Sequence, residues 1–256
     1  MTTLVLQSGP PGPQPQWLQR CICSVQDWAQ AQHFDYEWLG DELFSFIPPA
    51  LQTKLAQRRI IATDLARLGL LQQRLEQRRS SRVIWMDADF LIFAPQRFML
   101  PEHMDMAVGR EVWVDQTTTG HRQTPRAWTK VHNAFLMFTD LGGGRHPFLD
   151  HYHYSAQRLL KANHGGMPDQ FIGPKLLTAL HNVVQLPVLE SAAMLSPCVG
   201  TDVLQGGGAA LKLWLARSQQ QPAAANICWS SAAGQADHSA LVSTLLGSSD
   251  AMFAQA

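Results

Sequence analysis

The chain has 256 residues, 46% of them hydrophobic, and its twenty basic side chains cancel its twenty acidic ones. That length can bury a full core, and one domain over residues 1–256 is expected, with 190–256 as a helical and loop completion. Balanced charge without a run of Lys or Arg excludes an electrostatic design for a nucleic-acid backbone.

The amino terminus, Met1 to Leu6, lacks a basic flank, and its apolar run is too short for a signal peptide. Nowhere do about 18 apolar residues run together, so no transmembrane segment is expected. A soluble, cytoplasmic protein follows, with room for peripheral association with a membrane. Cys21, Cys23, Cys198 and Cys228 are neither dense enough for a disulfide scaffold nor spaced as a zinc site.

Leu4 to Ser8 reads as a first strand, halted by the Gly9-Pro10-Pro11-Gly12-Pro13 loop. Leu18, Cys21, Ile22, Val25, Trp28 and Ala29 then recur at three- and four-residue steps, the stripe of an amphipathic helix over 17–33. Phe34 to Leu39 alternates as a second strand. Residues 41–77 are helical by their Leu, Ala, Gln and Arg content, broken at Pro48-Pro49. Within them Thr63, Asp64 and Arg67 gather polar groups beside a Leu and Ile face. An N-cap with an i to i+3 ion pair on a surface helix accounts for them equally well.

The central segment is Arg82-Val83-Ile84-Trp85-Met86-Asp87-Ala88-Asp89-Phe90-Leu91-Ile92-Phe93. Its apolar run reads as a strand covered on both faces, and burying unpaired Asp in such a setting is costly. Residues i and i+2 of an extended segment project to one side, so Asp87 and Asp89 can converge on one point. A divalent cation with oxygen ligands suits that point; a solvated turn is the plainer alternative. After Pro95 and Pro101, residues 106–114 read as a strand, 115–130 as a mobile polar loop, and 131–138 as a strand again. A helix from Pro147 to Ala162, a loop over 163–170, a helix through His181 and a strand over 183–189 complete the pattern. Alternating strands and helices mark a three-layer α/β/α domain with a mostly parallel sheet, whose ligand crevice lies at the carboxyl ends of the strands.

In this order the residues resemble the DxD-containing glycosyltransferases of the GT-A fold. The likeness is carried by V-L-Q-S in the first strand, T-D-L-A-R before the central strand, V-I-W-M-D-A-D, a later H-N-A-F strand and a D-Q at a helix start. It spans residues 4–190. The resemblance implies Mn²⁺ or Mg²⁺ at the D-x-D, bridging the diphosphate of a nucleotide sugar, with a UDP-sugar as the first expectation. It assigns metal binding to Asp87 and Asp89. Gln7, Ser8, Asp64, Arg67, Asp87, Asn133 and Ala134 fall to the donor, and Asp169 and Gln170, the candidate catalytic pair, to the donor sugar or the acceptor side. His238 is the late histidine available as a third metal ligand, with a surface histidine as the alternative. The implied acceptor is a glycan or a lipid-linked precursor. Gly206-Gly207-Gly208 before Lys212 suits either a phosphate or a flexible loop. His151 and His153 point apart on a helix and do not form a second metal site. Two other functions compete: a phosphohydrolase with Asp87 as nucleophile and Asp89 as acid/base, and a nucleotide-binding module without turnover.

Overall fold

The computed structural model describes residues 2–119, 122–228 and 237–255. In chain order the elements are β1 (Thr3–Ser8), α1 (Gln16–Ala31), β2 (Asp35–Leu39), a 3-10 helix (Asp41–Phe46), α2 (Pro49–Leu55), α3 (Arg59–Glu76), β3 (Arg82–Met86), β4 (Phe90–Ile92), β5 (Met106–Thr119) and β6 (Arg122–Thr139). There follow α4 (Pro147–Ala162), α5 (Pro174–Val184), β7 (Val188–Leu189), β8 (Ala192–Met194), α6 (Pro197–Leu204), α7 (Ala209–Arg217), β9 (Ala224–Asn226) and α8 (His238–Gln255).

Among the described residues, six strands form the central sheet in the order β2-β1-β3-β6-β5-β7. Strand β1 runs parallel to β2 and β3, and β5 parallel to β7, while β6 is antiparallel to both its neighbours. The sheet is therefore mostly parallel, with one reversed strand. A small second sheet, β4-β9-β8, stands beside it.

The period-2 alternation of β3 shows why this strand lies at the centre. Ile84 and Met86 enter one core, with α1 residues Cys21, Val25 and Trp28 and with parts of α6, α7 and α8. Val83 and Trp85 enter the other, against α3 and α4. A strand buried on both faces needs apolar side chains at every position, and β3 supplies them after Arg82. The result is the expected three-layer α/β/α arrangement.

Three expectations require correction. The run over 82–93 is not continuous: Asp87 O accepts the Phe90 N–H at 3.0 Å, so the chain turns at the D-x-D and β4 joins the second sheet. Residues 115–119 and 122–130 are strand rather than loop, because β5 and β6 pair as a long hairpin out to Thr119 opposite Arg122. Its polar sequence misleads because Thr is β-branched and suits a strand whose front is solvated. Residues 183–184 extend α5, which stops only at Gln185 in the left-handed region (φ 53). Val183 and Val184 stand mostly in solvent there, so no partner strand realises their β preference, and pairing is confined to Val188 and Leu189.

Candidate functional site

The D-x-D turn is clamped from three directions. The Asp87 N–H donates to Ala134 O at 3.0 Å, which ties the turn to β6. Asp87 O also accepts the side-chain amide of Gln7 at 3.0 Å, and Gln7 in turn accepts the Tyr36 hydroxyl at 3.0 Å. The Ile227 N–H donates to Asp89 O at 3.0 Å. Backbone amides buried in this way must be paired, and the pairing fixes where both carboxylates point.

In front of the turn lies a cleft of about 760 Å³. Ser8, Asp64, Arg67, Asp87, Asp89, Asn133, Ala134, Asp169 and Gln170 all line it, brought from β1, α3, the D-x-D turn, β6 and the loop before α5. Two predicted residues lie elsewhere. Gln7 is fully buried beneath the turn and holds it from behind rather than facing the cleft. His238 opens α8 and stacks on Trp17 of α1, ring centroids 4.8 Å apart, away from the cleft.

Behind the D-x-D, Arg67 organises a buried polar network. Its guanidinium lies 3.0 Å from Asp64 Oδ1 and 3.0 Å from Asp87 Oδ1. It donates to Asn133 O at 2.7 Å and stacks over Trp85 at 5.1 Å. Asn133 Nδ2 donates to Asp64 Oδ1 at 2.8 Å, and Trp85 Nε1 to Asp87 Oδ1 at 2.7 Å. Asp64 Oδ2 is left buried without a hydrogen-bond partner. Desolvation pushes the Asp64 pKa up to about 6 despite the neighbouring Arg67. The N-terminus of α5 presses on this carboxylate: a Cβ at Gly173 would lie 2.2 Å from Asp64 Oδ2.

Asp89 is oriented from β9, where Asn226 Nδ2 donates to its Oδ1 at 2.7 Å and Asn226 Oδ1 accepts the Cys228 N–H at 2.8 Å. The two carboxylates offer the hard oxygen donors that Mg²⁺ and Mn²⁺ prefer, and in that respect the residues fit such an ion. Among the described residues no three His, Cys, Asp or Glu side chains gather as a metal cage, so water and ligand oxygens would fill the remaining positions. The lining carries five carboxylates, Asp64, Asp87, Asp89, Glu111 and Asp169, against four cations, Arg59, Arg67, Lys130 and Lys175. A polyanionic ligand needs added positive charge to enter such a field.

Several lining residues were not anticipated. Glu111, Lys130, Lys175 and Asn226 reach the cleft from β5, β6, α5 and β9. Glu111 carried a usable signal, an acid inside an apolar strand run, the same signal that marked the D-x-D. Asn226, in Ala-Ala-Asn, carried none. The histidine and glycine alternatives also resolve. His153 is buried and bonds to Gln72, while His151 is exposed. Asp202 Oδ2 accepts the Leu211 N–H at 2.9 Å, so the N-terminus of α7 after Gly206-Gly207-Gly208 is capped by the chain itself.

No protein-family model and no curated protein sequence matches this chain. Among solved structures it is similar to a glycosyltransferase involved in the glycosylation of the major capsid of PBCV-1, at 7% identity and a TM-score of 0.48, over 96% of this chain and 99% of that one. It is also similar to the apo form of the glycosyltransferase GlyE of Streptococcus pneumoniae TIGR4, at 14% identity and a TM-score of 0.44, over 99% of this chain and 62% of that one. A197 from STIV aligns at 10% identity and a TM-score of 0.32, over 73% of this chain and 80% of that one. At these values the likeness concerns general architecture, and the chemistry has to be read from the side chains.

Proposed function

We propose that this chain is a GT-A-like glycosyltransferase that moves a sugar from a nucleotide-sugar donor, a UDP-sugar first, to a glycan or lipid-linked acceptor. The observation that carries the reading is the pair Asp87 and Asp89, presented together on a clamped turn at the floor of a cleft that Arg67 and Asn226 organise from behind. Asp87 and Asp89 would hold Mn²⁺ or Mg²⁺, and the bound ion would supply charge stabilisation for the departing diphosphate.

The remaining steps belong to the chain's own residues. Arg67 holds Asp87 in place through their ion pair, and Asn226 fixes the rotamer of Asp89. The orphaned Asp64 Oδ2 is suited to accept a hydrogen bond from a hydroxyl of the donor, which would relieve the cost of leaving it unmatched. Asn133 and Ala134 border the donor, and Asp169 and Gln170 close the side of the cleft toward the transferred sugar.

Hydrolysis of a panel of nucleotide sugars with and without Mn²⁺ tests the reading, repeated with Asp89→Asn, which still accepts from Asn226. The expected outcome is metal-dependent turnover that falls about 10²-fold or more in the variant. Nucleotide binding indifferent to metal, or turnover unchanged in Asp89→Asn, would sink it.

A further inference from the structure

We propose that the front of the β5–β6 hairpin is the acceptor site, taking a neutral saccharide chain that stacks on Trp113 and Trp128 and reaches Glu111 at the cleft. The proposal rests on the sugar-transfer reading above and deepens it.

The register sets Glu111 opposite Lys130, Trp113 opposite Trp128 and Asp115 opposite Arg126. Directly opposed residues share a face, and so do residues two apart along a strand. These three pairs therefore form one continuous surface. The intervening Val112 and Val114, with Ala127, belong to the core on the other side, where α6 and α7 pack. With its back covered, the hairpin can present its front only outward.

The inner end of that front is part of the cleft, since Glu111, Trp113 and Lys130 all line it. Moving outward, Trp128 is 37% exposed, with the Arg126 guanidinium 5.3 Å from its ring. An exposed ring, Trp128, beside a half-buried one, Trp113, with hydrogen-bonding side chains around them, suits a sugar, which has an apolar C–H face and a rim of hydroxyls. Successive front positions stand about 7 Å apart, on the scale of one sugar unit. Acid and base face each other across the strands, and Lys130 Nζ lies 3.9 Å from Glu111. The charges cancel pair by pair, so the track favours a neutral chain over a polyanion.

Glu111 marks where the chain should end. Only 6% of it is exposed, and its ion-pair partner, Lys130, is 3.9 Å away and half-exposed. A buried carboxylate so lightly paired is costly, and a hydroxyl donated by a ligand in the cleft would lower that cost.

The test uses the whole chain labelled with fluorotryptophan and observed by ¹⁹F NMR. It is titrated with neutral oligosaccharides of glucose, galactose, mannose and N-acetylglucosamine, from disaccharide to pentasaccharide, and separately with phosphatidylglycerol vesicles. UDP with Mn²⁺ is titrated into the wild-type protein in parallel. The expected result is that one series shifts the Trp113 and Trp128 signals, with affinity rising about tenfold as the chain lengthens across one further ring. Trp128→Ala should lose that rise and Trp128→Phe should keep most of it. Response to vesicles but to no saccharide overturns the proposal, as does a length dependence unchanged in Trp128→Ala. UDP binding without any saccharide response overturns the acceptor site and leaves sugar transfer standing. Saccharide binding at Trp128 without UDP binding keeps the site and removes the transfer reading.

Discussion

Arg67 is where sequence and function meet at the scale of one residue. Its helix places it an i to i+3 step from Asp64, and the fold then places Asp87 on its other side. Removing the cation from between the buried Asp64 and the partly exposed Asp87 leaves the buried carboxylate without its counter-charge and costs about 3–5 kcal/mol. Arg67→Met is expected to lose that much stability in urea unfolding, and Arg67→Met with Asp64→Asn to regain part of it. Equal stability of wild type and single variant would show that the network is already solvated. Asp64 adds a pH dependence. Its folded pKa, raised by burial from 3.8 to about 6, means that the folded chain binds this proton more tightly than the unfolded one. Its contribution therefore favours the folded state at low pH and is lost as pH rises through about 6. The stability of wild type relative to Asp64→Asn should fall between pH 3.8 and about 6 and level off above. A difference flat across that window would contradict the burial assigned to this carboxylate.

At the scale of elements, β6 joins the hairpin to the D-x-D side of the cleft through a bulge. Pairing slips between Val108 and Gly109, and the buried His132 ring occupies the space left by the glycine. His132 Nε2 donates to Ala192 O at 3.1 Å, and Nδ1 accepts the Ala134 N–H at 3.2 Å. Bulges re-aim a strand where a site needs it, and here the re-aimed residues are Asn133, which holds Asp64, and Ala134, whose carbonyl holds the D-x-D turn. A methyl group at position 109 would fall 2.1 Å from the ring. Gly109→Ala should destabilise by about 1–3 kcal/mol through overpacking, read as a lower thermal midpoint, and should weaken nucleotide binding with it. Unchanged binding would separate the bulge from the site.

For the whole molecule, the cleft draws on β1, α3, β3, β6, α5 and β9, which are far apart in the chain, so a ligand there ties both sheets together. Anything bound only by the folded state stabilises it, by about 2.7 kcal/mol at a ligand concentration 100 times Kd. UDP with Mn²⁺ should raise the unfolding midpoint accordingly, and EDTA should abolish the rise. A rise that survives EDTA would argue against metal at Asp87 and Asp89. Among the described residues, no helix is long and apolar enough to cross a membrane.

The sequence by itself determined the layers and the place of the D-x-D at the end of the central strand. A doubly apolar strand must lie mid-sheet, and two acids at its end must face something that offsets their charge, so β3 and the D-x-D were legible from local pattern. The helical stripe of α1 was legible for the same reason, whereas local pattern left Thr63, Asp64 and Arg67 of α3 open between a surface ion pair and a site. What only the tertiary structure decided depends on distant chain segments meeting. Gln7 proved to be a prop beneath the turn because Asp87 O lies within its reach. His238 was taken by Trp17, and Asn226 was delivered to Asp89 from 137 residues away. The polar stretch after Val114 became a hairpin because α6 and α7 cover its back. Periodicity reports which face of an element is buried, but not which other element buries it, and side chains converge on a site only once that second choice is made.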